Sequence, residues 1–144
     1  MKNKTIAVLG STGSIGQSTL EIIKKTKKFK VALIVANSNY KKILSQIKIF
    51  KPNCIVIKDF ATFLKIKNKC KSRKIKILNS ITGISSFIKK IDVTVSAIPG
   101  IAGLEPTLSL IKISKKILLA NKESIICGWN LINKNSLKYK TKLV

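Results

Sequence analysis

The apolar run Thr5-Ile6-Ala7-Val8-Leu9 stops at Gly10-Ser11-Thr12-Gly13-Ser14-Ile15-Gly16, and a helical pattern follows from about Ile15 to Lys27. A strand without polar alternation must be covered on both faces, so this opening commits the chain to a parallel sheet packed under helices. The remainder repeats the unit. Residues 31–36 form a second continuous apolar run that ends at the polar turn Asn37-Ser38-Asn39. Ile43, Leu44, Ile47 and Phe50 then recur at helical spacing until Pro52-Asn53, and 54–57 is a third run. Asp59 suits the N-cap of a helix with Phe60, Phe63, Leu64 and Ile66 on its apolar side, which leads through a basic stretch at 67–74 to a strand at 75–78. Further on, 80–90 reads as a short helix, 93–97 as a strand, 104–114 as a helix, 116–120 as a strand and 124–135 as a last helix, with Lys142-Leu143-Val144 opening another strand. Six strands alternating with helices, without repeat or linker, predict one α/β domain over 1–144: a mainly parallel sheet, helices on both faces and right-handed crossovers.

Charge and cysteine content narrow the function. There are 29 Lys+Arg against 5 Asp+Glu, a net charge of +24 without any His, yet 45% of residues are apolar. That apolar share can offset the entropy of ordering the chain, so a disordered basic tail is excluded. The cations are almost all Lys, with Arg73 the sole Arg, spread along the chain among Ile and Asn. Base-reading surfaces favour Arg and single-strand binders interleave aromatics, which are 6% here, so nucleic acid is not expected as the main partner. No apolar run approaches the roughly 20 residues that cross a bilayer; no membrane partner is expected, and a cytoplasmic location is. Cys54, Cys70 and Cys127 are odd in number and form no C-x-x-C, so they are expected to be reduced and structural. Without His, the chain cannot build a Ser-His-Asp or Cys-His nucleophile or the usual zinc sites. Glu21, Asp59, Asp92, Glu105 and Glu123 are too dispersed for a metal cluster or an acid pair. No catalytic or metal-ligating residue is assigned.

The glycine loop is the strongest chemical signal. Between a strand and a helix, it lies where a dinucleotide pyrophosphate meets a helix N-terminus. Gly10 allows the tight turn, Gly13 lets the backbone approach phosphate oxygens, and Gly16 permits close packing of helix on strand; Ser11, Thr12 and Ser14 add hydroxyl donors. The spacing G-x-x-G-x-x-G departs from the usual G-x-G-x-x-G, which leaves an ordinary Gly/Ser turn as the alternative. A P-loop fails because no Gly-Lys-[Ser/Thr] follows. At the end of the second strand an NAD site places Asp or Glu, whereas Asn37-Ser38-Asn39, with Lys41 and Lys42 beyond, suits a phosphorylated ribose and favours NADPH; the alternative is a plain polar turn. Two more loops follow strands. Val95 to Gly103 has small residues that let a flat nicotinamide ring approach the backbone. In Ala120-Asn121-Lys122-Glu123-Ser124, Asn121 and Glu123 could bond the nicotinamide ribose and Lys122 a substrate phosphate; N-capping by Asn121 with Glu123 in the first helical turn is the competing account.

Leu9-Gly10-Ser11-Thr12-Gly13-Ser14-Ile15-Gly16, Ala36-Asn37-Ser38-Asn39, Ala97-Ile98-Pro99-Gly100-Ile101-Ala102-Gly103-Leu104-Glu105-Pro106-Thr107 and Leu118-Leu119-Ala120-Asn121-Lys122-Glu123-Ser124, in this order, resemble 1-deoxy-D-xylulose 5-phosphate reductoisomerases. The resemblance implies a Rossmann-like NADPH-binding domain that precedes a catalytic and a C-terminal helical domain. It further implies conversion of 1-deoxy-D-xylulose 5-phosphate to 2-C-methyl-D-erythritol 4-phosphate in non-mevalonate isoprenoid precursor biosynthesis, with NADPH, a divalent metal (Mg²⁺ or Mn²⁺) and a homodimeric full-length protein. Carried over, Gly10, Thr12, Gly13, Ser14 and Ile15 match the pyrophosphate loop, Asn37, Ser38 and Asn39 the adenosine-ribose turn, Asn121 and Glu123 cofactor contacts, and Lys122 a substrate contact. Family members often carry Gly and a basic residue where Asn37 and Ser38 stand. The family's metal-binding Asp-Ser-Glu-His segment would follow Val144, so the chain is expected to be an N-terminal part that binds cofactor without turnover. Another NADP-dependent Rossmann dehydrogenase and a basic nucleic-acid-binding protein are the competing readings.

Overall fold

In the computed structural model, which describes residues 2–71 and 74–144, each apolar run of the sequence lies in the sheet interior. Ser72 and Arg73, within the basic stretch, lie outside the described residues. The elements follow the order β1 (Lys4–Leu9), α1 (Ser14–Thr26), β2 (Phe29–Ala36), α2 (Tyr40–Phe50), β3 (Cys54–Ile57), α3 (Phe60–Lys69), β4 (Lys76–Leu78), β5 (Ile91–Ser96), α4 (Leu104–Ile111), β6 (Ser114–Leu119), α5 (Lys122–Tyr139) and β7 (Lys142–Leu143). Among the described residues seven strands form one sheet in the order β4-β3-β2-β1-β5-β6-β7. Every pairing in it is parallel.

Alternate residues of each strand feed two cores, one per face. Ile6, Val8, Ile34, Ile55 and Ile57 pack with Leu20 and Ile23 of α1, Ile43 and Ile47 of α2 and Ile66 of α3. Ala7, Leu9, Leu33, Val35 and Val56 face the other way, onto Leu110 and Ile111 of α4 and Ile132 of α5. Burying one such aliphatic side chain is worth about 1.5–3 kcal/mol, so both layers are needed to hold the sheet. Three helices therefore cover one face and two cover the other. The reversal falls between β1 and β5.

Three sequence expectations need correction. Residues 80–90 do not form a helix: a short 3-10 turn at Ile84–Ser86 stands there. Ile81, Ile84 and Ile88 are buried at helical spacing, but Gly83 sits at φ 76° and its left-handed backbone interrupts an α turn. On α3, Thr62 and Ile66 are the buried residues, while Phe60 and Leu64 point outward. Asp59 is the N-cap as expected, accepting from the Thr62 N–H, and that cap sets a helical phase that turns Phe60 away from the sheet. Cys54 and Cys70 are buried, and burial pushes the Cys54 thiol up to about 11, but Cys127 is exposed on α5 and has no place in the core. Lys142–Leu143, where a strand was expected to open, pairs with β6 and brings the described strands to seven.

Candidate functional site

The sheet reverses between β1 and β5, whose C-terminal ends stay paired up to the Ala97 N–H and the Leu9 carbonyl, and the loops that leave them border a cleft of about 420 Å³. In open α/β sheets this is where ligands bind. Gly10 makes the turn out of β1 at φ 81°, and a side chain there would meet the Ala97 carbonyl oxygen at 2.6 Å. Its N–H and that of Ser11 donate to the Val35 carbonyl at 2.8 and 3.1 Å, which ties the loop to the end of β2. Gly16 is equally constrained, because its Cβ would fall on the Gly10 carbonyl. Gly13 differs. Its backbone is extended, and an added Cβ would meet just the Gly10 oxygen, at an ordinary 3.5 Å.

Thus Gly10 and Gly16 shape the loop, while Gly13 leaves its cleft-lining position open. Gly13 is also the N-cap of α1, with no side chain to cap it and no acidic residue in the first turn. The first-turn N–H groups and the positive end of the helix dipole are thereby left to an anion. Gln17 Nε2 donates to the Thr12 carbonyl at 2.9 Å and braces the loop. Ser11 corrects the sequence reading: it is wholly buried, its Oγ has no hydrogen-bond partner, and its carbonyl accepts from Gln46 Nε2 at 2.9 Å, so its hydroxyl lies beneath the loop rather than in the cleft.

Opposite stand Val35, Ala36 and Asn37 of the β2 end, and Ile98, Pro99, Ala102 and Pro106 form an apolar wall. The structure brings Gly10, Thr12, Gly13 and Asn37 into one cleft, with Ser14 and Ile15 adjoining on the first turn of α1. Asn39 is the N-cap of α2, accepting from the Lys42 N–H at 3.2 Å. Lys41 and Lys42 are exposed on that helix and do not line the cleft. Lys58, just past β3, does line it. No motif singles it out in the sequence; its place at the end of a third parallel strand is the available signal.

Asn121, Lys122 and Glu123 leave the end of β6, beyond the apolar wall and outside the cleft lining. Asn121 is buried and its amide is fully engaged. Oδ1 accepts from the Ser124 N–H at 3.1 Å, and Nδ2 donates to the carbonyls of Ile98 and of Gly100, the latter at 2.9 Å. A Cβ on Gly103 would collide with that amide, so Gly103 and Asn121 lock the wall to the start of α5. Lys122 is exposed and Glu123 half-buried in the first turn of α5. No three His, Cys, Asp or Glu residues converge among the described residues, and none of the described helices is long and apolar enough to cross a membrane.

A reversing parallel sheet, a glycine turn between its first strand and first helix, and a cleft at the switch point define a Rossmann-type α/β domain. The sequence profile of the 1-deoxy-D-xylulose 5-phosphate reductoisomerases matches residues 6–128, and the chain belongs to that family. It is 47% identical over 145 residues to the reductoisomerase of Pelagibacter ubique, covering 98% of this chain and 37% of that protein. The Clostridium novyi reductoisomerase is 40% identical over 98% of this chain and 38% of its own length. The chain therefore spans less than two fifths of these curated relatives. The Zymomonas mobilis reductoisomerase solved in complex with NADPH superposes with a TM-score of 0.89 at 30% identity, over 100% of this chain and 39% of that one. A Staphylococcus aureus homoserine dehydrogenase, at 19% identity and a TM-score of 0.56, shares the fold alone.

Proposed function

We propose that residues 1–144 are the NADPH-binding domain of a 1-deoxy-D-xylulose 5-phosphate reductoisomerase, whose catalytic and C-terminal helical domains lie outside this stretch. The carrying observation is Gly13, an uncapped helix start with room at its Cβ position, facing a cleft at the switch point. NADPH, when bound, supplies the hydride of the reduction. Thr12, Ser14 and Ile15 hold its pyrophosphate through main-chain N–H groups. Gly10 and Gly13, whose N–H groups donate to the Val35 and Gly10 carbonyls, shape the turn and leave room for the phosphates, and Asn37, Ser38 and Asn39 meet the adenosine ribose. The wall of Ile98, Pro99 and Ala102 offers the nicotinamide ring a dry surface. Glu123 reaches the nicotinamide ribose. Asn121 contributes through its main chain, since its amide is engaged, and holds the wall in place. Lys122, exposed at the rim, meets the substrate phosphate.

The activity of the whole protein is the conversion of 1-deoxy-D-xylulose 5-phosphate to 2-C-methyl-D-erythritol 4-phosphate, carried out by a homodimer in the cytoplasm. Its divalent metal does not fit the residues present here. There is no His, and no convergent ligand set exists among the described residues, so no step is assigned to a metal in this chain. Titration of the chain with NADPH and NADH, followed by nicotinamide fluorescence at moderate salt, tests the cofactor reading. Tighter binding of NADPH is expected. An absence of binding overturns the domain assignment, and equal affinities overturn the argument from the neutral Asn37-Ser38 turn. Reading the gene beyond the codon for Val144 tests the activity: an Asp-Ser-Glu-His segment should follow.

A further inference from the structure

A phosphorylated ribose at the end of β2 needs a cation, and the turn there supplies none. Asn37, Ser38 and Asn39 are neutral, and Lys41 and Lys42 do not line the cleft. Lys42 instead borders the groove between α1 and α2, beside Gln17 and Glu21. Among the described residues that line the cleft, Lys58 alone is charged, and it stands on the neighbouring strand end, next to Asn37 in the same lining.

The backbone holds Lys58 there firmly. Its N–H donates to the Ala36 carbonyl at 3.0 Å, and the next N–H, of Asp59, donates to the Asn37 carbonyl at 3.2 Å. From the other side, Asn79 Nδ2 donates to the carbonyls of Ile57 at 2.8 Å and Lys58 at 3.2 Å. The one carboxylate nearby is turned away. Asp59 accepts from the Thr62 N–H and hydroxyl at 2.9 and 2.7 Å as the cap of α3. Lys58 itself is exposed and takes no part in the ion pair found among the described residues, which joins Lys115 to Asp92. An exposed ammonium with no ion-pair partner among the described residues, carried on a backbone pinned beside a neutral ribose turn, is within reach of a phosphate monoester dianion there.

We infer that Lys58 receives the adenosine 2′-phosphate and is the residue that sets the preference for NADPH over NADH. This rests on the reading of the cleft as a dinucleotide site. It moves the specificity determinant from the β2 turn to the end of β3, a strand the cofactor motif does not include.

The test uses the whole chain at about 0.15 M salt, where diffuse lysine charge is screened beyond roughly 8 Å. Dissociation constants for NADPH and NADH are measured by nicotinamide fluorescence in wild type, Lys58→Gln, Lys58→Arg and the pair Lys41→Gln/Lys42→Gln. Thermal shifts with 2′,5′-ADP and 5′-AMP probe the 2′-phosphate without nicotinamide. Loss of one charge-assisted contact should weaken NADPH by about 10- to 150-fold in Lys58→Gln. NADH should stay within about twofold, and the extra shift given by 2′,5′-ADP should vanish. Lys58→Arg should keep the preference, and the Lys41/Lys42 pair should leave the ratio of the two constants unchanged. A wild type that prefers NADPH while Lys58→Gln keeps the same ratio overturns the role of Lys58 and leaves the cofactor reading standing. An equal loss of both cofactors also overturns it, since the lysine would then serve a part they share. A wild type that binds neither overturns both.

Discussion

Replacing Gly13 by valine should separate cofactor binding from folding, because the three glycines of the loop are constrained for different reasons. At Gly13 the backbone is at φ −77° and ψ 175°, which any residue adopts, and an added Cβ has a single neighbour at 3.5 Å. An apolar N-cap in place of glycine costs up to about 1 kcal/mol, and restricting the unfolded chain returns about 0.4–1 kcal/mol. The net change is within about 1 kcal/mol, or roughly 3 to 5 °C in Tm for a chain of this size. Binding responds differently. The side chain occupies the approach to the first-turn N–H groups, and each charge-assisted bond lost weakens NADPH by about 10- to 150-fold. Gly10→Ala and Gly16→Ala are the contrasting pair. The first combines a φ of 81° with a contact at 2.6 Å, and the second places a methyl on the Gly10 carbonyl, so each should cost about 2–4 kcal/mol. Fluorescence titration and thermal denaturation of the three variants decide the matter. If Gly13→Val binds NADPH like wild type, the loop is only a turn; if its Tm falls as far as that of Gly16→Ala, the claim of open space at Gly13 is wrong.

Other expectations follow from single contacts. Asn121→Ala removes both the α5 cap and the tie to Ile98 and Gly100, so it should lose about 1–3 kcal/mol and speed amide exchange at 98–103, while Asn121→Asp, which keeps the cap acceptor but sets a buried carboxylate oxygen against those two carbonyls, should be no more stable than the alanine variant. Asp92 is held down to about 2 by the Lys115 ammonium and the Thr5 N–H and hydroxyl. Since an unfolded Asp titrates near 3.9, its stabilisation is complete above about pH 4 and fades as pH falls toward 2; denaturant midpoints across that window should drop more steeply for wild type than for Asp92→Asn. The 144-residue chain given NADPH, 1-deoxy-D-xylulose 5-phosphate and Mg²⁺ or Mn²⁺ should show no loss of nicotinamide absorbance above background. Metal-dependent turnover would contradict the reading that no metal site forms within it.

The sequence by itself determined what local pattern can determine. Unbroken apolar runs such as 31–36 and 54–57 require cover on both sheet faces, and glycines at 10, 13 and 16 require a tight turn between the first strand and first helix; both features stand in the structure. Local signals failed where a neighbour decided. Gly83 broke a periodicity that otherwise read as helix, and the cap at Asp59 set a phase of α3 that leaves Phe60 and Leu64 outside while Phe63 and Ile66 meet the core. The composition of the cleft was legible in part: Gly10, Thr12, Gly13 and Asn37 line it, but their neighbours there do not follow from order along the chain. Ser11 and Thr12 are adjacent in sequence, yet one is buried against Gln46 and the other lines the cleft. Asn121 looks like a ligand group until its amide is found bonded to a loop some twenty residues earlier. Lys58 joins the site because β3 pairs with β2 in a register that sets the end of one strand beside the end of the next. Strand order and register depend on contacts between residues far apart in sequence, so periodicity identifies the strands, while packing of the two faces decides which of their ends meet.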